Sequence, residues 1–344
     1  MRRVLICLIA ALLFFPCSTE TVPYLATTLA SAGTSQHINR NLVARRLADP
    51  GVIVDSDGKF IITGTGPDFN VPVWYARSLK GLSAAIEQEA LPKRPSWGLK
   101  PMGAEITRAG DHYVMYFASR HQVRDVNCLG VATSEYTIGP YRVISDKDPM
   151  FCPEGILDVI APNPFRDDAS GLYLLFSMFS GQRGRANKGI YIAKMSEDGL
   201  KMEKEPIKLI GVDRAWENGH IEGSTLFRHG GKYYLFYSGS TYKATRNSYA
   251  VGYAYADKIM GPYTKPTDNL LLKSSEEFFN PGSQGIVQDR CGNVLLFFHA
   301  YDDPSMARKR SSYVTRLRFV DGKPVIDGNF DYHTYQCNPK SMTQ

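Results

Sequence analysis

The 344-residue sequence has only three tryptophans, against 20 tyrosines and 17 phenylalanines. Beyond residue 15 no apolar run approaches the roughly 18 residues needed to cross a membrane, so no later span is expected. No long window shows a 3.6-residue apolar period with caps, so helix should be scarce. The formal charge of +6 is scattered, without a stripe of Lys and Arg. The one basic cluster, "MARKRSS" at 306–312, reads as a solvated loop, and no nucleic-acid partner is expected. No spacing of metal ligands is visible, and no cofactor is required.

What is present begins with a leader. Met-Arg-Arg precedes "VLICLIAALLFF", an apolar run of 12 that Pro16, Cys17 and Ser18 end. This is the plan of a secretory signal peptide over residues 1–20, too short for a comfortable membrane anchor. Loss of Arg2, Arg3 and Glu20 with the leader leaves a charge of +5, and the mature protein should be soluble and secreted. Residues 21–43 are polar, small and unpatterned, and read as a tail; 336–344 read as a second one. Of six cysteines, Cys7 leaves with the leader, and if Cys17 does too, Cys128, Cys152, Cys291 and Cys337 remain. Their order suggests Cys128–Cys152 and Cys291–Cys337, but four cysteines allow three pairings.

Glycines that precede aromatic-rich strands recur. "DGKFIITGT" (57–65), "AGDHYVMYFAS" (109–119), "SGLYLLFSMFS" (170–180), "GGKYYLFYSGS" (230–240) and "CGNVLLFFHAY" (291–301) share Gly58, Gly110, Gly171, Gly231 and Gly292, spaced 52, 61, 60 and 61 residues apart. Each glycine suits a hairpin turn, and a second strand-like segment follows each copy. Five such copies indicate an all-β, five-bladed β-propeller over residues 44–335, one domain with blades near 44–100, 101–150, 151–207, 218–272 and 280–331. A sandwich would not repeat its first hairpin five times.

In a propeller the first strand of each blade lines the central channel. Nine residues before Gly58 stands Asp49, nine before Gly231 stands Glu222, and nine before Gly292 stands Ser283. Either acid alone suits a turn cap or an ion pair. Two carboxylates converging on a channel suit glycoside hydrolysis, where one protonates the leaving oxygen and the other activates water.

"LADPGVI", "IEGSTLFRHGGKYYLFYSGS" and "YAVGYAYADKIMGPY" resemble signature segments of family-43 glycoside hydrolases, over about residues 44–320. Those are five-bladed propellers that include arabinanases, α-L-arabinofuranosidases and β-xylosidases. The resemblance implies an inverting reaction, with Asp49 as general base, Glu222 as general acid and carboxyls roughly 6.5–9.5 Å apart. It also implies a third-blade Asp that raises the pKa of the acid. In "GILDVIAPNPFRDDASG" that position is Asp158 if "GILD" sets the register, or Ala161 if "PNPFRDD" does; the family-like "CPEGILD" favours Asp158, and Ala161 would mean an impaired or repurposed site.

The resemblance also implies, in many members, a fifth-blade His that helps hold a central metal or water cluster; Ser283 in "NPGSQGI" takes that place, so a calcium ion in the channel is not supported by the fifth-blade sequence. His299 reads as a pocket-edge or supporting residue. Trp74, Trp97 and Trp216 are candidate sugar platforms or inter-blade packing, with Trp216 the best placed, and Arg316 is a candidate ligand of substrate or acid. Asp55, Asp57, Asp167 and Asp168 read as turn formers. The expected substrates carry arabinofuranosyl links first and β-xylosyl links second. A non-catalytic carbohydrate-binding propeller and a related-clan hydrolase of fructosides or galactosides are the alternatives. Loops 83–100 and 181–187 would decide endo or exo action.

Overall fold

The structure is a computed structural model describing residues 37–181, 187–243, 247–303 and 309–337. The expected leader, most of the N-terminal tail and residues 338–344 lie outside the described residues. After β1 (Leu42–Ala44) come five groups of four consecutive strands. The first is β2 (Ala48–Val54), β3 (Phe60–Thr65), β4 (Pro72–Ala76) and β5 (Gln88–Glu89), with the short helix α1 (Leu79–Ser83) between the last two. The second is β6 (Met102–Ala109), β7 (His112–Arg120), β8 (Asn127–Ser134) and β9 (Arg142–Val143). The third is β10 (Ile156–Asp167), β11 (Gly171–Ser180), β12 (Asn187–Lys194) and β13 (Ile207–Gly211). The fourth is β14 (Ile221–His229), β15 (Lys232–Gly239), β16 (Ala250–Ala256) and β17 (Leu270–Leu272). The fifth is β18 (Phe279–Gln288), β19 (Val294–Tyr301), β20 (Arg310–Val320) and β21 (Lys323–Asp327). Pairing within every group is antiparallel and in chain order.

The apolar runs of the second strands are continuous because both faces are buried. Successive side chains point to opposite faces. Val114 and Tyr116 of β7 therefore pack with Leu174 and Phe176 of the third group, while Met115 and Phe117 pack with Ile61 and Val73 of the first. Leu235 and Tyr237 of β15 likewise meet Leu175 and Ile192, whereas Phe236 meets Phe298. Val52 and Ile62 pack with Leu295 and Phe297, so that the fifth group also packs on the first. Five clusters thus lie between consecutive groups, each large side chain contributing about 1.5–3 kcal/mol on burial. The first strands β2, β6, β10, β14 and β18 touch in cyclic order, β18 returning to β2.

Each first strand carries a β-bulge at the same ladder position. The register slips between Ala48 and Gly51, Met102 and Glu105, Ile160 and Asn163, Glu222 and Thr225, and Gly282 and Gly285. The first extra residue is left-handed every time: Asp49 (φ 52°), Gly103 (56°), Ala161 (52°), Gly223 (58°) and Ser283 (46°). Asp49 is therefore equivalent to Gly223, and Glu222 stands one residue earlier, which corrects the expectation that the two acids share a position. Counting back from the turn glycine misleads because the turns differ: residues 55–59 join β2 to β3, but only Gly230 and Gly231 join β14 to β15.

The ends are more ordered than the tail readings implied. Ile38 is buried, β1 pairs with β20 of the fifth group, and Phe330 and Tyr332 are buried. Of the three possible cysteine pairings, the structure has Cys128–Cys152 and Cys291–Cys337. Asp55 and Asp167 accept backbone hydrogen bonds in their turns, in line with the turn reading. Buried Asn41 joins the two ends: its Nδ2 donates to the carbonyls of Val314 (3.2 Å) and Phe330 (2.8 Å), and its Oδ1 accepts from the Tyr332 amide (3.2 Å). Asn41→Ala strands buried backbone groups and is expected to lower unfolding stability by about 1–3 kcal/mol in urea titration.

Candidate active site

The five bulge residues Asp49, Gly103, Ala161, Gly223 and Ser283 line one cavity, together with Glu105, Asn163, Ser224 and Gln284 from just beyond the bulges. Asp49 enters it from β2, its side chain 28 % exposed. Its Oδ2 accepts from Thr65 Oγ1 at 2.9 Å, and its Oδ1 lies 3.4 Å from Arg310 Nη1 and 3.3 Å from His299 Nδ1. His299 is fully buried on β19. Its Nδ1 is also 3.1 Å from the Asp49 amide, and one nitrogen cannot both accept from that amide and donate to the carboxylate. The amide donates to Nδ1, and Arg310 Nη1 lies 3.3 Å from Nε2. Burial alone would push Asp49 up, but Arg310, with His299 and Thr65, holds it well below the usual carboxylate range. Burial, with the Arg310 charge, lowers His299 and keeps the ring neutral.

Glu222 lies against the opposite partners. Its Oε1 accepts from Tyr249 Oη at 2.8 Å, and its Oε2 is 3.0 Å from His220 Nε2. Burial pushes Glu222 up; the His220 and Tyr249 hydrogen bonds lower it, and the net direction is down, while the Asp49 charge pushes the other way. Tyr249 connects the two halves. Its ring stacks on His299 at 5.8 Å and 7°, and its hydroxyl is 3.1 Å from Ser283 Oγ, which donates because the tyrosine proton goes to Glu222. A Cβ at Gly282 would stand 2.0 Å from the Tyr249 ring, so glycine there is what admits the tyrosine.

The segment leading into Glu222 is held by a buried charge cluster. Lys265 Nζ lies 2.5 Å from Glu217 Oε1 and 2.7 Å from Asp213, and Glu217 Oε2 accepts from the amides of Asp213 and Arg214. The Glu217 carbonyl then accepts from the His220 amide. Trp216 belongs to this support: it stacks on Tyr237, donates to Asn269 Oδ1 and fills the space over Gly239 and Gly252.

Other expected residues fall elsewhere. Asp158 accepts from the amide and Nδ2 of Asn127 at 3.0 and 2.7 Å, across the single parallel bridge between the second and third groups. It is absent from the cavity lining, where Ala161 holds the bulge position, so the leaning towards Asp158 is corrected. Trp74 is buried between the fifth and first groups, Trp97 donates to the Ser145 carbonyl, and Arg316 pairs with Asp327, so all three serve packing. Arg310, from the basic stretch read as solvated, is instead the partner of Asp49.

Sequence reasoning also passed over His220, Tyr249, Lys188, Glu105 and the exposed Tyr242, whose ring carries Arg310 at 4.9 Å. His220, two residues before Glu222, was the one with a usable signal, since i and i+2 share a strand face. Glu105, two residues past its bulge, is raised well above the ordinary carboxylate range by burial, with the Asp49 charge adding and an Asn163 hydrogen bond opposing. These residues do not fit a central calcium ion, which takes six to eight oxygens including ionised carboxylates. Asp49 is already paired with Arg310, and Ser283 is bonded to Tyr249. The one compact cluster of potential metal ligands among the described residues, Asp289, Cys291 and Cys337, has its sulfurs in a disulfide. Tyr249→Phe removes a donor to ionised Glu222 and is expected to raise the Glu222 midpoint, measured by carboxyl 13C NMR titration; an unchanged or lowered midpoint contradicts the bond.

Comparison with known proteins gives consistent relatives. The chain is 26% identical over 287 residues to a probable arabinan endo-1,5-alpha-L-arabinosidase A of Aspergillus flavus, covering 75% of this chain and 83% of that one. It is 26% identical over 265 residues to a xylosidase/arabinosidase of Bacteroides ovatus, covering 63% and 76%. The crystal structure of a thermostable family-43 glycoside hydrolase superposes with a TM-score of 0.74 at 23% identity, over 86% of this chain and 96% of that one. The model of the glycosyl hydrolases family 43 matches residues 38–324, and the chain belongs to that family of glycosidases.

Proposed function

We propose that the five strand groups are the blades of a five-bladed propeller and that the protein is a secreted, inverting hydrolase of pentose-containing plant-type polysaccharides or their fragments. One observation carries this reading: five equivalent bulges open on one cavity, with Asp49 on it and Glu222 beside its lining residue Gly223. Arabinofuranosyl links are the first choice and β-xylosyl links the second, following the names of the relatives. The leader-like start and the two disulfides support secretion. No cofactor, nucleic acid or membrane enters the proposal.

In the proposed step Asp49 takes a proton from a water as that water attacks the anomeric carbon. Its depressed pKa keeps it ionised through the acid range, so the base is available wherever the acid is protonated. Glu222 gives its proton to the departing oxygen. No carboxylate stands at Ala161 to hold that proton on, and His220 favours the ionised form. This favours one second reading, a carbohydrate-binding protein without turnover.

Asp49→Ala and Glu222→Ala are each expected to cut kcat on arabinan oligosaccharides or aryl pentosides by roughly 10²-fold or more with the circular dichroism unchanged. The first product seen by 1H NMR should have inverted anomeric configuration. Binding without turnover on arabinofuranosides and xylosides at every pH would favour the second reading. Ala161→Asp suits the left-handed backbone, which Asp49 already adopts at the equivalent bulge. A new negative charge on the cavity that Gly223, the neighbour of Glu222, also lines favours the protonated form of Glu222, so the alkaline limb of kcat/KM should move to higher pH. A limb that stays in place or moves down contradicts the assignment of Glu222 as acid.

A further inference from the structure

We infer that Lys188 and His220 form a proton-supply line to Glu222, in a site where Ala161 provides no carboxylate. The inference rests on the reading of Glu222 as general acid. Lys188 Nζ lies 3.0 Å from His220 Nδ1, and His220 Nε2 lies 3.0 Å from Glu222 Oε2, so the imidazole joins the amine to the carboxyl through both of its nitrogens. Phe179 holds the pair: its ring centroid is 5.0 Å from that of His220, and Lys188 Nζ stands 5.7 Å over the same ring.

The donors and acceptors of the three groups set the tautomer of the line. Lys188 as an ammonium has only protons to offer, so Nδ1 accepts and the neutral ring presents Nε2–H to Glu222. Burial lowers the Lys188 pKa, partly offset by the Glu222 charge, which makes the ammonium a better donor than a surface lysine. Glu222 Oε2 takes the Nε2 proton while Nδ1 takes one from Lys188, leaving a neutral amine. When the glycosidic C–O bond breaks, the departing oxygen takes the Glu222 proton. Solvent reaches the His220 side chain, which is 23% exposed, and returns one proton to Nε2 while Nδ1 passes its own back to the amine. Asp49 releases to solvent the proton it took from water, and the cycle balances. His220, Lys188, Tyr249, Asp49 and His299 are the titratable groups that face Glu222.

The test compares phenyl and 2,4-dinitrophenyl α-L-arabinofuranosides, whose leaving groups do and do not need a proton. In Lys188→Met the dinitrophenyl-to-phenyl ratio of kcat/KM should rise about tenfold or more, a part of the 10²–10⁴-fold worth of general acid catalysis. The alkaline limb on the phenyl substrate should move to lower pH. Loss of a positive charge alone would raise the Glu222 pKa and move that limb up, so an upward shift, or an equal fall on both substrates, overturns the inference. Lys188→Arg keeps the charge but not the transferable proton and should also raise the ratio; wild-type behaviour there overturns the supply role. Glu222→Gln is the reference: if its ratio does not rise, it is the general-acid reading that fails. Independently of turnover, 15N NMR at neutral pH should show the Nε2–H tautomer for His220, and the Nδ1–H tautomer overturns the line.

Discussion

A left-handed residue inserted at the same ladder position of five first strands is the constraint on which the rest of the molecule depends. Each insertion leaves two residues opposite one, turns the strand locally and presents the extra residue to the common cavity. The backbone requirement is the same in all five groups, but the residues that meet it are not. Glycine meets it without cost, aspartate tolerates it through local hydrogen bonding, and Ala161 and Ser283 adopt it against their ordinary preference. The geometry of the cavity is therefore a property of the repeated backbone. Its chemistry depends on which of the five positions carries a functional side chain.

Two oppositely arranged environments follow. Asp49 faces a permanent cation, Arg310, and the buried imidazole of His299, so its ionised form is favoured against burial. Glu222 faces His220 and Tyr249, and the charge of Asp49 acts on it from across the site. Tyr249 couples the environments by stacking on one histidine while donating to the opposite acid. The buried Lys265–Glu217 pair does not touch the cavity; it anchors the turn from which His220 and Glu222 emerge. Removing one charge of such a pair leaves the other buried and unpaired, so the support is as sensitive to substitution as the site itself.

Much of the architecture could be read from the chain because it is written in local terms. Turn glycines mark the hairpins, continuous aromatic runs mark strands buried on both faces, and the near-60-residue spacing marks equal units. The site was only half legible. Asp49 and Glu222 stand out as acids beside buried strands, but their supposed equivalence failed on turns of unequal length. Asp158 and Ala161 lie three residues apart across a bulge, and no local pattern says which of them the extra residue carries to the cavity. Arg310 was misread because a basic cluster resembles a solvated loop until its carboxylate partner, 261 positions away, is in place.

By itself, the amino-acid order determined the strand groups, their number, the family and the two acids, because propensity, turn chemistry and alternation act between near neighbours. Tertiary structure alone decided that Ala161 rather than Asp158 faces the cavity, that Arg310 and His299 flank one acid while His220 and Tyr249 flank the other, and that Trp216 packs as a wedge. Those outcomes depend on bulges and on contacts between groups far apart along the chain. A one-residue slip there exchanges a buried face for the cavity, and nothing in the neighbouring sequence records it.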